Sequence, residues 1–173
     1  MRENTMPTTL GVCSWSLQPA SPADLIDKVQ QTGCNAVQLH LDPLREDWSS
    51  SETASRLSES GIKAVSGMMT MEGEDYTTLE TIKATGGVRC DDTWPANREA
   101  AEHNAALAAS LGIQLVTFHA GWIPHESDSS ERAVMIDRVR ELGRIFAQSG
   151  VAVSLETGQE TAQTLLGVLD ELP

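Results

Sequence analysis

Several residues that could do chemistry follow short apolar runs, at the points where strands would end. Glu156 closes the run 151–155, and His40 and His119 close two earlier runs of the same kind. A carboxylate at the carboxyl end of a buried strand lies where parallel α/β folds place their catalytic groups. An imidazole there can exchange hydrogen bonds or protons with a substrate. The sequence therefore predicts a functional site at the strand ends.

The elements that must position these residues follow a repeating pattern. Strands are predicted to begin near residues 9, 36, 62, 113 and 151. Helices are predicted from Pro22 to just before Gly33 and at 51–60, 95–111, 130–149 and 160–172. Similar glycine-containing joints precede four of the strands, as expected for the helix ends of repeated βα units: Gly33, Gly61, Gly112 and Gly150. This alternation predicts a parallel α/β fold. The apolar run 151–155 is also typical of a strand covered on both faces.

Two architectures fit five parallel strands: a doubly wound, flavodoxin-like sheet and part of an eight-stranded barrel. Each predicted strand ends in a bulky polar or aromatic group, and these groups are Trp15, His40, Met68 to Glu72, His119 and Glu156. In a barrel they converge on one mouth, whereas the outer strands of an open sheet lie too far apart to share a site. No GxGxxG or GxxxxGK[ST] nucleotide-binding motif occurs. Both observations favour the barrel.

The segment 72–93 is the one long irregular stretch, and it is rich in Gly, Thr, Asp and Glu. Such stretches inside a compact domain often form an active-site lid or an insertion. We expect Glu72 and Glu74, which lie in it, to be solvated acidic residues. His103, in an Ala-rich helix, and His125, in a polar loop, are expected at the surface.

Composition excludes several classes of protein. The chain has 173 residues, of which 40% are hydrophobic, so we expect a tail at 1–8 and one folded domain at 9–173. Its formal charge of -13 disfavours nucleic-acid binding. Three cysteines without CxxC spacing argue against a disulfide framework or a cysteine zinc site. No signal peptide or membrane span is visible, so we expect a soluble cytoplasmic protein.

Four segments resemble the strand ends of the xylose isomerase-like barrels, the sugar phosphate isomerase/epimerase group: 10–15, 35–40, 116–121 and 153–156. The resemblance covers residues 8–172 and implies a TIM-type (β/α)₈ barrel, incomplete here with about five of eight units. It also implies a divalent metal ion, Mn, Mg, Co or Zn, bound by carboxylates and a histidine. The first of these ligands ends strand five, which corresponds to Glu156. The others lie on strands six to eight, for which this sequence has no residues.

The implied activity is isomerisation or epimerisation of a sugar, sugar phosphate or polyol. A proton is removed from carbon next to a metal-bound carbonyl or hydroxyl, and the metal stabilises the charge that grows on oxygen. His119 and His40 would position substrate hydroxyls, and Trp15 and Trp122 would form an apolar wall against the substrate. The alternative for Glu156 is a helix cap. The alternative for His119 is fixation of the loop after strand four, and for His40 it is a rim residue whose hydrogen bonds are satisfied within the protein. For the tryptophans the alternative is core packing.

Two other functions remain open from the sequence. One is a non-catalytic, sugar-binding or structural partial barrel. The other is an endonuclease IV-like phosphodiesterase, in which a His-Pro-Gly segment binds zinc, although Ala120 replaces that proline and four histidines with a charge of -13 give it little support. Five units would leave the edges of strands one and five unpaired. We therefore expect a fragment of a longer product or, as the alternative, self-association through those edges.

Overall fold

Five parallel strands form a single sheet in which every strand pairs with its neighbour in sequence. The computed structural model of the chain describes residues 9–156, 158 and 161–172. The strands are β1 (Gly11–Cys13), β2 (Ala36–His40), β3 (Lys63–Met68), β4 (Leu115–His119) and β5 (Ala152–Glu156). Their spatial order is β1-β2-β3-β4-β5, and all pairs are parallel. A doubly wound sheet reverses its strand order, so this sequential order is that of a β/α barrel.

Helices connect the strands as the sequence pattern predicts. They are α1 (Ser14–Leu17), α2 (Pro22–Gln31), α3 (Asp42–Glu46), α4 (Ser50–Ser60), α5 (Leu79–Thr85), α6 (Trp94–Ser110), α7 (Ser130–Gln148) and α8 (Ala162–Leu169). The sequence did not predict α1, α3 or α5, because helices of four to seven residues are too short to show a helical period. The expected tail at 1–8 and the expected start of the last helix at residue 160 lie outside the described residues. No helix in the described ranges is long and apolar enough to cross a membrane.

The two faces of the sheet have different surroundings, because alternate strand residues point to opposite sides. The side facing the helices is fully buried at Val37, Leu39, Val116 and Phe118. On the opposite, concave side, Leu115 is 37% exposed. Gln38 Nε2 donates a hydrogen bond to Thr117 Oγ1 across this side, at 3.1 Å. The helix side therefore holds the core, and the barrel side is open and partly polar.

Strand β5 is less covered than its apolar sequence predicts. Val151, just before it, is buried, but none of the residues from Ala152 to Glu156 is. Among the residues that the structure describes, no strand pairs with β5 on the side away from β4. The expectation of a strand covered on both faces is therefore wrong for β5, because a neighbour on one side is lacking.

The segment 72–93 packs tightly against the end of β4. Gly87 and Gly121 both have positive φ, +67° and +88°, and meet backbone to backbone. A Cβ on Gly87 would lie 2.0 Å from the carbonyl carbon of Ala120. Val88 N donates a hydrogen bond to Ala120 O at 3.1 Å, and Arg138 Nη1 donates to Val88 O at 2.8 Å. This segment is therefore attached to the sheet through its backbone.

We expect Gly87→Ala to destabilise the fold much more than Gly112→Ala. Both glycines have positive φ, but a Cβ on Gly112 meets nothing within 4 Å. The control should lose about 1–2 kcal/mol from the left-handed backbone alone. Gly87→Ala should lose roughly 1–3 kcal/mol more through overpacking. Denaturant unfolding of both variants measures the difference, and equal losses would show that the contact with Ala120 is unimportant.

Candidate active site

Glu156 and His119 lie side by side at the carboxyl ends of neighbouring strands. They are register partners in the parallel pairing of β4 with β5. Paired residues of adjacent parallel strands point to the same face, and the strands are about 4.8 Å apart. Two strands away from β4, at the end of β2, His40 is the register partner of Met68 at the end of β3. The structure therefore brings His119 and Glu156 together and places His40 further along the same rim.

A third carboxylate, Glu74, reaches this rim from the loop after β3. Its side chain is only 6% exposed, and its Oε1 lies 3.9 Å from Nδ1 of His119. Oε1 accepts a hydrogen bond from Gly87 N at 2.8 Å, and Oε2 accepts one from Met71 N at 3.3 Å. The expectation that Glu74 is solvated is therefore wrong, because backbone N–H groups replace its water. Glu72 is exposed, as expected.

Tyr76 completes this group of side chains. Partial burial raises the pKa of Tyr76 to about 12, together with the negative charge of Glu74, a hydrogen bond to Glu74 and the negative charge of Glu156. Each of these factors favours the neutral phenol over the phenolate. Tyr76, which is 63% exposed, therefore keeps its hydroxyl proton and can donate a hydrogen bond to a partner at the surface. Nothing in the spacing of the 72–93 segment indicated that Glu74 or Tyr76 would reach the strand ends.

His40 belongs to a second polar cluster, which is centred on the buried carboxylate of Asp42. Asp42 is 4% exposed. Its Oδ2 lies 2.9 Å from His40 Nε2 and accepts hydrogen bonds from Thr70 N at 2.9 Å and Thr70 Oγ1 at 2.8 Å. Its Oδ1 accepts a hydrogen bond from Asn104 Nδ2 at 2.8 Å. Asp42 therefore joins α3, the end of β3 and α6 to the ring of His40.

The pKa of Asp42 reflects this cluster. Burial on its own raises the pKa of the Asp42 carboxyl, but hydrogen bonds from His40, Thr70 and Asn104 outweigh burial and lower the pKa to about 2. An ionised carboxylate only accepts hydrogen bonds, so Nε2 of His40 is the donor in this pair. Sequence reasoning missed Asp42, because its partners are distant in sequence and α3 is too short to predict.

The two candidate substrate-binding tryptophans lie in different clefts. Trp15 is 46% exposed and lines a cleft of about 170 Å³ together with His40 and Trp48. Trp122 instead stacks on His125, with ring centroids 6.1 Å apart, and the Nζ of Lys83 lies 4.4 Å from its ring centroid. The structure therefore brings Trp15 and His40 together and places Trp122 elsewhere.

The two remaining histidines lie at the surface. His103 and His125 are both exposed, so the expectation for them is confirmed.

The family model for the xylose isomerase-like TIM barrel matches residues 26–173. The chain belongs to this family. Both the predicted family and the predicted β/α barrel are thereby confirmed. No curated protein is significantly similar in sequence to this family member.

Solved structures of this barrel type superpose on nearly the whole chain. A xylose isomerase domain protein from Planctomyces limnophilus has a TM-score of 0.80 and 23% identity, covering 96% of this chain and 58% of its own. A xylose isomerase-like TIM barrel protein from Mycobacterium smegmatis, in complex with magnesium, has a TM-score of 0.69 and 17% identity. The match covers 94% of this chain and 60% of that protein. D-psicose 3-epimerase from Clostridium cellulolyticum H10, with D-tagatose, has a TM-score of 0.66 and 14% identity. The match covers 95% of this chain and 60% of that epimerase. The chain therefore spans about three fifths of the length of these xylose isomerase-like barrels.

The described part of this barrel does not form a complete metal site. No group of three or more His, Cys, Asp and Glu side chains in it is arranged to hold a metal ion. Glu156 and His119 offer a carboxylate and an imidazole side by side, but both oxygens of Glu74 already accept backbone hydrogen bonds. Zinc takes about four ligands and magnesium about six. Glu156 and His119 can therefore supply part of a coordination shell, but the described residues do not complete one.

We expect Asp42→Asn to destabilise the chain by about 2 kcal/mol at pH 7, because a pKa near 2 instead of 3.8 reports that much stabilisation of the ionised form. Because the folded pKa is lowered, this stabilisation is fully present above about pH 4 and is lost as the pH falls towards 2. The difference from the unsubstituted chain should shrink over that range. Urea unfolding at several pH values measures it.

The matched control is Asp27→Asn, which changes an exposed carboxylate on α2. This variant should show a much smaller difference at pH 7. A difference for Asp42→Asn that is independent of pH would contradict the assigned role of the charge.

Proposed function

We propose that the complete protein is a sugar isomerase or epimerase that uses a divalent metal ion, either Mn, Mg, Co or Zn. Its substrate is a small sugar, sugar phosphate or polyol, from which a proton is removed at a carbon next to an oxygen-bearing carbon. The observation that carries this proposal is the pairing of Glu156 with His119 at the mouth of a barrel of this family. The D-psicose 3-epimerase that superposes on the chain supports this class of reaction.

Each residue of the rim has a role in this proposal. Glu156, which is exposed at the end of β5, supplies one oxygen ligand to the metal. When bound, the metal supplies positive charge near the reacting substrate oxygen. His119 holds a substrate hydroxyl beside Glu156, and His40 with Trp15 binds the far end of the substrate in the cleft that they share. The principal base and the other metal ligands come from residues outside the described ranges.

Tyr76 adds a donor that the sequence did not reveal. Its hydroxyl keeps its proton, because burial and the charge of Glu74 raise the pKa of Tyr76 to about 12. A phenol in that position can donate a hydrogen bond to a substrate oxygen. Trp122 lies in a separate cleft, so Trp15 alone makes the apolar contact with substrate.

The state of the cysteines supports a proposed cytoplasmic location. Cys13, Cys34 and Cys90 are all free thiols. Free thiols are typical of a reducing environment, so we place the protein in the cytoplasm.

We expect the full-length product of the gene to interconvert members of a ketose and ketose phosphate panel when Mn²⁺ is added. Glu156→Gln should lower turnover by about 100-fold or more, because it removes a carboxylate ligand of the metal whose positive charge would stabilise the developing oxyanion. Glu59→Gln, on the exposed face of α4, is the matched control and should retain activity. The absence of turnover on the whole panel would contradict the proposal.

Metal content distinguishes this enzyme from a non-catalytic barrel. Elemental analysis of the same product should give a stoichiometric divalent metal that Glu156→Gln loses. A metal-free protein that still binds a sugar would instead support the non-catalytic function.

A further inference from the structure

The ring of His119 has one nitrogen whose environment is unusual. Nδ1 is buried and has no hydrogen-bond partner among the residues that the structure describes. A quarter of the side chain is nevertheless exposed, so the exposed surface belongs to its other atoms. The carboxylate that faces Nδ1 is that of Glu74, whose Oε1 lies 3.9 Å away. A buried polar nitrogen without a hydrogen-bond partner is unfavourable, so the nearby carboxylate matters for the state of the ring.

Glu74 is held in place from both ends of its carboxylate. Gly87 N donates to Oε1, and Met71 N donates to Oε2. Gly87 itself lies against the backbone of Ala120, the residue that follows His119, and Val88 N donates to Ala120 O. The loop that carries Glu74 and the strand that carries His119 are therefore locked together. The carboxylate faces Nδ1 because of the fold.

A carboxylate at this distance favours the ring tautomer that carries its proton on the facing nitrogen. An ionised carboxylate has only acceptor oxygens, and a bare Nδ1 would direct its lone pair at one of them. A proton on Nδ1 turns this repulsion into attraction. In the neutral ring the other nitrogen, Nε2, is then an acceptor. Carboxylates that orient a histidine in this way fix both its tautomer and its direction.

We propose that Glu74 is a positioning residue that fixes His119 as the Nδ1–H tautomer, leaving Nε2 to accept a hydrogen bond from a substrate hydroxyl. The substrate part rests on the proposed function, whereas the tautomer does not. The competing role for Glu74 is that of a loop anchor, which would leave the protonation of His119 unaffected.

The direct test is nitrogen-15 NMR of the histidine-labelled chain at about pH 8.5, two units above the ordinary histidine pKa. The signals of His119 are assigned by their loss in His119→Gln. We expect a protonated Nδ1 and a bare Nε2. In Glu74→Ala the tautomer should shift towards Nε2–H, and Glu74→Gln should restore Nδ1–H because its amide oxygen still accepts.

Thr85→Val is the control for loop anchoring. It removes the hydrogen bond that Asp75 N donates to Thr85 Oγ1 at 2.9 Å in the same segment, without touching His119. The signals of His119 should not change in this variant. A bare Nδ1 in the unsubstituted chain would overturn the proposal even if Glu74→Ala failed to fold. An unchanged tautomer in Glu74→Ala would also overturn it.

Turnover by the full-length product adds a second readout. Glu74→Ala should lower kcat/KM by about 10–100-fold, as is typical when an orienting partner is lost, and Glu74→Gln should recover most of it. If the product turns over no substrate at all, the proposed function fails, but the NMR result still decides the role of Glu74. Loss of turnover with an unchanged tautomer would assign Glu74 to loop anchoring alone.

Discussion

The contact between the backbones of Gly87 and Gly121 is the constraint on which the rim depends. Neither position has room for a Cβ, since the backbone of the other segment occupies that space. This close approach lets Val88 N bond to Ala120 O and brings Gly87 N to Glu74. A loose 72–93 segment would leave Glu74 in water, where it would be one more negative charge in an acidic protein.

The carboxylates of this rim differ in how their charge is accommodated. Asp42 is surrounded by side-chain and backbone donors, which lower its pKa despite burial. Glu74 is buried with backbone donors on both oxygens. Glu156 is exposed at the end of β5. The first two act on neighbouring histidines, His40 and His119, and only the third is open to a ligand. Positioning and binding are thus separated among residues of one chemical type.

The open concave side of the sheet indicates from which side further ligands would approach Glu156. Because β5 has a neighbour on one side only in the described chain, Glu156 lies on the edge strand, beside the space where a closed barrel would continue. The relatives that superpose on this chain are longer, and about two fifths of their length lies beyond the match. The proposed metal site needs donors from that direction, because Glu156 and His119 account for only part of a coordination shell.

The sequence by itself determined the alternation of strands and helices and the positions of His119 and Glu156. These follow from local spacing, since a glycine-ended helix and a short apolar run place the next residue at a strand end whatever the rest of the chain does. The tertiary structure alone decided the burial of Glu74 and Asp42 and the separation of Trp122 from Trp15. Their surroundings come from segments distant in sequence, and hydrogen bonds from Gly87 or Asn104 leave no local pattern. A carboxylate is buried only where the fold supplies donors, which is a property of the packed chain.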